Sequence, residues 1–190
     1  MVAWRWCLLL AVSIAVLGAG CGATPVTSGG GTSRPSDGGK SSGGSGEVAD
    51  FVLKDVDGRS HALTDYLGKN VILISFWATW CEPCKKEMDQ LQTLFEAHST
   101  DGLMILSISM DEPETQGDVL PFVKQRGFTY PVLLDTESQV TNQFNPRRSA
   151  PFSLIIDRDE KTSWTHEGYV PGDEKKVEAA VLEALGTGAQ

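Results

Sequence analysis

The chain has 190 residues, enough for one domain with extensions, since domains cluster near ~100–150 residues. Its 25 acidic residues against 16 basic ones give a formal net charge of −9, so nucleic-acid binding has no electrostatic support. Four cysteines are present, and only Cys81 and Cys84 lie in the folded part, which excludes a small disulfide-stapled scaffold.

The N-terminus reads as an address. Arg5 precedes the apolar run Leu8–Leu17, which is too short for a bilayer span of about 20 residues but suits a signal-peptide core. Gly18-Ala19-Gly20 and then Cys21 follow, and this order resembles a bacterial lipoprotein signal. The resemblance implies a leader over residues 1–20 and a lipid-bearing Cys21, although Gly18 stands where the pattern prefers Leu. A plain secretory signal with a spare thiol at Cys21 is the alternative. Residues 22–46 hold nine Gly and six Ser among 25, too little apolar surface to offset ordering entropy. Segment 21–46 therefore reads as a lipidated cysteine with a flexible tether, whose r.m.s. span is about 25–30 Å.

Globular composition begins at residue 47 and runs to 187. Phe51–Lys54 and Arg59–Leu63 flank Asp57-Gly58 and predict a hairpin. Asp65–Gly68 predicts a short helical turn. The unbroken apolar run Val71–Trp77 predicts a strand covered on both faces. Pro83 fits a first helical turn, and Met88, Leu91, Leu94 and Phe95 recur at helical spacing behind it. Leu103–Ser109 is a second buried strand, giving a parallel crossover. Val119, Phe122 and Val123 mark a helix ending near Gly127, Pro131–Leu134 a short strand, and Ser138–Phe144 a two-turn helix. Phe152–Ile156 and Lys161–Tyr169 form a strand pair around a polar turn. Asp173 opens a last helix with a stripe of Val177, Ala180, Val181, Ala184 and Leu185. The fold class is α/β, a mixed sheet with helices on both faces.

Cys81 and Cys84 stand where a buried strand meets an amphipathic helix. Two thiols at that spacing can close into a disulfide and reopen, and the helix N-terminus favours a thiolate. The bare C-x-x-C spacing is shared with zinc sites. A structural zinc site takes four ligands, and His61, His98 and His166 show no mutual ligand spacing. Haem attachment needs His where Lys85 stands.

Phe76-Trp-Ala-Thr-Trp-Cys-Glu-Pro-Cys84, strand before and helix after, resembles the thioredoxin superfamily. The fuller run Trp80–Glu87, the leading hairpin, an inserted strand–helix segment near residues 103–134, Pro131–Asp135 and a proline before Phe152 resemble its membrane-tethered extracytoplasmic TlpA/ResA branch. The resemblance covers about Asp50 to Leu185. It implies a thioredoxin-like fold and a thiol–disulfide oxidoreductase reducing exported proteins, fed by a membrane-embedded thiol reductant. Cytochrome c maturation, copper-site assembly and sporulation are the settings of such proteins. It implies no cofactor and no metal, a membrane location through the lipid anchor, and a monomer.

Under that resemblance Cys81 is the exposed attacking thiolate and Cys84 the resolving thiol. Glu82 and Pro83 tune the reduction potential and, with Trp80, Ala150 and Pro151, form the substrate-binding surface. Trp80 supplies an apolar rim, and Pro151 is cis so that the Ala150 backbone pairs with an extended peptide. Trp77 belongs to the core. Glu87, one turn beyond Cys84, influences thiol protonation and moves a proton. A solvated carboxylate beside Lys85 and Lys86 is the alternative for Glu87. Ser75 departs from the family, whose members often bury Asp or Asn there, so proton handling shifts toward Glu87 or water. Disulfide donation remains open, and so do two other readings: peroxide reduction, lacking the lone cysteine of peroxiredoxins in a Pro-and-Thr-containing loop, and Cu(I) carriage between the two thiols.

Overall fold

The computed structural model describes residues 48–186. The leader over 1–20, Cys21 and the tether 21–46 lie outside the described residues.

The hairpin forms as β1 (Val52–Asp55) and β2 (Ser60–Ala62), with Gly58 at φ +83, a conformation that favours glycine. The helical turn begins two residues earlier than its composition suggests, as a 3₁₀ turn at Leu63–Asp65. The Asp65 carboxylate closes it by accepting from the Ala62 N–H. Next come β3 (Val71–Trp77), α1 (Glu82–His98), β4 (Leu103–Ser109) and α2 (Val119–Arg126). They are followed by β5 (Val132–Leu134), α3 (Gln139–Phe144), β6 (Phe152–Ile156), β7 (Thr162–Glu167) and α4 (Glu174–Leu185). β7 is shorter than Lys161–Tyr169 because the pairing slips near Ile155 and Gly168 turns the chain at φ +82.

The seven strands form one sheet in the order β2-β1-β5-β4-β3-β6-β7. β3 pairs in parallel with β4 and antiparallel with β6, so the sheet is mixed and β3 lies in its interior, between those two strands. Every residue of β3 is buried, which explains its unbroken apolar run. Strand alternation sends Val71, Leu73 and Trp77 to the face packed by α1, α2 and α4. Ile72, Ile74 and Phe76 go to the other face, with Val140 of α3 and with Phe51 and Leu63. The architecture matches the expected thioredoxin-like α/β fold. No described helix is long and apolar enough to cross a membrane.

Candidate active site

Two adjacent parallel strands end at the site. The Met110 N–H donates to the Trp77 carbonyl at 2.8 Å, tying the end of β3 to the end of β4. The buried Asp111 carboxylate accepts from the Thr79 N–H at 3.0 Å and from the Thr79 hydroxyl. The Ser109 hydroxyl donates to the same carboxylate at 2.9 Å. The short segment between β3 and α1 is thus held at the one place where the chain must turn sharply. Asp111 carried no motif in the sequence and is recognised only by its position after β4.

Cys81 is the N-cap of α1 and Cys84 sits one turn inside, with Pro83 in that first turn. Their sulfurs are joined in a disulfide, with the Cα atoms 5.3 Å apart. Cys81 Sγ also accepts from the Cys84 N–H at 3.2 Å, one of the helix's free N-terminal donors. In the reduced state the same donor faces a thiolate, and a charged acceptor roughly doubles the strength of such a bond. The expectation of an exposed Cys81 needs correction: it is 5% exposed, and Cys84 is fully buried. The N-cap conformation turns Sγ back over the helix start, and the disulfide holds it there.

Around the disulfide, Trp80 is 62% exposed while Trp77 is fully buried in the core. Glu82 is exposed and pairs with Lys85 at 2.7 Å. The Lys85 hydrogen bond and charge hold the Glu82 carboxyl below its ordinary value and offset its repulsion of a neighbouring thiolate. The Ala150–Pro151 bond is cis, and Ala150 packs against the cluster that contains both cysteines. The loop before it is fastened by Asn145, whose side chain donates to the Ser149 carbonyl at 2.8 Å and accepts from the Ser149 N–H at 3.0 Å. A cleft of about 440 Å³ beside Trp80 is lined by Met110, Glu112, Glu114, Thr115 and Arg148. Arg148 spans it to reach Glu112 at 3.1 Å.

Glu87 departs most from an ordinary helix carboxylate. It is 2% exposed, which rules out a solvated position beside Lys85 and Lys86. Its Oε2 accepts from the Ser75 hydroxyl at 3.2 Å and its Oε1 from the Ser153 hydroxyl at 3.0 Å. Ser75 and Ser153 are direct partners across β3 and β6, so the sheet presents two hydroxyls side by side to α1. Burial pushes the Glu87 carboxyl up to about 7, against the two hydroxyl bonds that favour the charged form. A carboxyl poised there can accept and return a proton at neutral pH. Spacing by three places it on the same side of α1 as Cys84. Sequence reasoning missed Ser153. Among the described residues there is no group of three or more His, Cys, Asp or Glu able to hold a metal ion.

Comparison with known proteins agrees with this geometry. The model of the AhpC/TSA family matches residues 45–165. The thiol-disulfide oxidoreductase ResA of Geobacillus thermodenitrificans (strain NG80-2) is 39% identical over 112 residues, covering 59% of this chain and 62% of that protein. The ResA of Bacillus anthracis is 36% identical over 133 residues, covering 65% of this chain and 75% of that protein. The exposed lipoprotein thioredoxin of Streptococcus pneumoniae strain TIGR4 aligns with a TM-score of 0.59 at 25% identity, covering 73% of this chain and 98% of that one. Fold and site define a thioredoxin-like protein with a disulfide at a helix start. The chain belongs to the AhpC/TSA family and groups there with the ResA proteins, although the match spans only 62% of the length of the Geobacillus relative.

Proposed function

We propose that the chain is an extracytoplasmic thiol–disulfide oxidoreductase that reduces disulfides in exported proteins, in the setting of cytochrome c maturation. The observation that carries this reading is the closed Cys81–Cys84 disulfide at the start of α1, beside exposed Trp80 and the cis Ala150–Pro151 bond. Reduced Cys81 attacks a substrate disulfide as the thiolate, stabilised by the Cys84 N–H and the positive helix end. One substrate sulfur leaves with the electron pair and a mixed disulfide forms. Cys84 then attacks Cys81 Sγ, the intramolecular bond closes, and the second substrate thiolate departs. Glu87 takes the Cys84 proton. Trp80, Glu82 and Pro83 form one wall of the docking surface and the Ala150 backbone the other, as in strand addition. A membrane-embedded thiol reductant returns the pair to the dithiol.

The N-terminal reading belongs to the same proposal. Residues 1–20 act as a lipoprotein leader, Cys21 carries the lipid, and residues 21–46 tether the domain over residues 47–187. The lipoprotein character of the Streptococcus relative supports this. The protein works as a monomer without cofactor.

Trapping with Cys84→Ser tests the reading. The variant expressed in its host is expected to stall as a mixed disulfide on Cys81, with exported proteins identified by mass spectrometry and acyl chains found on Cys21. Absence of any Cys81-linked protein, with the variant folded and exported, contradicts the exchange reaction.

A further inference from the structure

A second opening in the molecule leads to Glu87 from another side. α1 and α4 leave a cleft of about 120 Å³ between them, lined by Glu87, Leu91 and Leu94 from α1 and by Tyr169, Glu174 and Val177 from the α4 side. None of its lining residues is shared with the cleft beside Trp80. Glu87 links this cleft to the sheet behind it, through the Ser75 and Ser153 hydroxyls. The Tyr169 hydroxyl stands at the cleft and donates to Glu174 Oε2 at 3.3 Å.

We infer that Glu87 exchanges its proton with solvent through the α1–α4 cleft, by a path separate from the surface that receives the substrate. The inference rests on the proposed exchange reaction of the Cys81–Cys84 pair. A substrate docked over Trp80 and Ala150 covers the sulfurs, yet the exchange needs a proton removed from Cys84 while that cover is in place. As Cys84 Sγ attacks Cys81 Sγ, its proton passes to the Glu87 carboxylate. The Cys81–Cys84 bond forms, the bond to the substrate breaks, and the substrate thiolate leaves with the electron pair and is protonated by water. Glu87 then releases its proton into the cleft. When a donor dithiol reduces the disulfide again, Cys84 leaves as the thiolate, Glu87 takes up a proton from the cleft and passes it to Cys84, and Glu87 returns to the carboxylate. The electrons and protons of both halves balance.

The groups facing Glu87 suit a proton route rather than a fixed ion pair. Among the described residues no cation bonds to it: its two partners are hydroxyls. The Asp173 charge on the α4 side opposes its ionisation, and the Tyr130 and Tyr169 phenols are both raised in part by the Glu87 charge. On β7, His166 pairs across the sheet with Ser153 and bonds to Asp173 at 3.2 Å. His98 and Glu178 stand farther along the cleft. A proton leaving Glu87 meets carboxylates and a phenol, all able to hand it on to water.

The test fills the mouth of the cleft from its exposed residues, Thr93→Trp and Ala97→Trp, which leave the core and the disulfide untouched. Oxidation of the reduced protein by hydroxyethyl disulfide is followed by stopped-flow tryptophan fluorescence at constant pH, with increasing imidazole as a small proton carrier. Wild type is expected to accelerate with imidazole to a plateau. The filled variants are expected to react about tenfold more slowly and to lose the acceleration, with an unchanged reduction potential. Wild-type rates and acceleration in folded variants overturn the route. On wild type alone, equal acceleration by imidazole and by a bulky buffer of matched pKa also overturns it, whatever the variants do. Glu87→Gln separates the levels. A slowed Glu87→Gln variant that keeps only the pH dependence of the Cys81 thiolate, beside unaffected cleft-filled variants, leaves the exchange reading standing and removes only the route. Absence of oxidation in wild type removes both.

Discussion

Glu87 sits on a balance between burial, which favours its neutral form, and two hydroxyl bonds, which favour its charge. Its folded value of about 7 lies above its ordinary 4.5. A raised carboxyl means that the unfolded chain loses this proton first. The group's contribution to stability is therefore fully present below pH 4.5 and is lost as pH rises toward about 7. Urea unfolding of Glu87→Gln is expected to match wild type near pH 4.5 and to exceed it at pH 8 by on the order of 2–3 kcal/mol. Equal stability at both pH values contradicts the assignment. Ser153→Ala removes one bond to the carboxylate and is expected to raise the Glu87 midpoint further, by about one unit or more. Carboxyl-carbon NMR of labelled protein reads that shift directly, and a lowered midpoint argues against the serine clamp. This clamp was not legible in the sequence. Ser153 lies inside an apolar strand, and its meaning depends on the β3–β6 register, which composition does not specify. Glu87 itself was legible, because its distance from Cys84 needs only the helical repeat.

At the level of elements, the site depends on the joint between β3 and α1. The Asp111 carboxylate holds Thr79 from the neighbouring strand end, so the cysteine turn is set by two strands rather than one. Asp111→Ala leaves the Thr79 N–H without its acceptor and is expected to cost about 1–3 kcal/mol. Hydrogen exchange at Thr79 checks it, with unchanged protection as the contrary result. Strands β3, β4 and β6 were legible because burial on both faces leaves continuous apolar runs. The end of β7 was not, since a slip in pairing and a glycine turn, rather than apolarity, terminate it. Asp173 illustrates a similar limit. It precedes α4 as an N-cap residue would, but its carboxylate accepts from the Val170 N–H and meets His166 and Lys176 instead of capping the helix by its side chain. Lys176 is the largest of the influences that hold its carboxyl down at about 2. A depressed carboxyl contributes stability above its unfolded value, and that contribution is lost as pH falls through about 2.

For the molecule as a whole, a net charge of −9 and a glycine- and serine-rich segment after Cys21 suit the proposed domain on a tether. Under the proposed anchoring, Cys21→Ser is expected to move the protein from the membrane fraction to the soluble exported fraction, and continued membrane association contradicts a lipid at that cysteine. The direction of electron flow belongs to this scale too, because it depends on the summed environment of both sulfurs rather than on one contact. The reduction potential of the Cys81–Cys84 couple, measured against dithiol buffers with the thiol state read by mass, is the most direct test. For a protein that passes electrons to its substrates, a reversible two-electron couple near or below thioredoxin's value of about −270 mV is expected. A potential near that of the oxidant DsbA, about −120 mV, or sulfurs that neither reductant nor oxidant can convert, would contradict it.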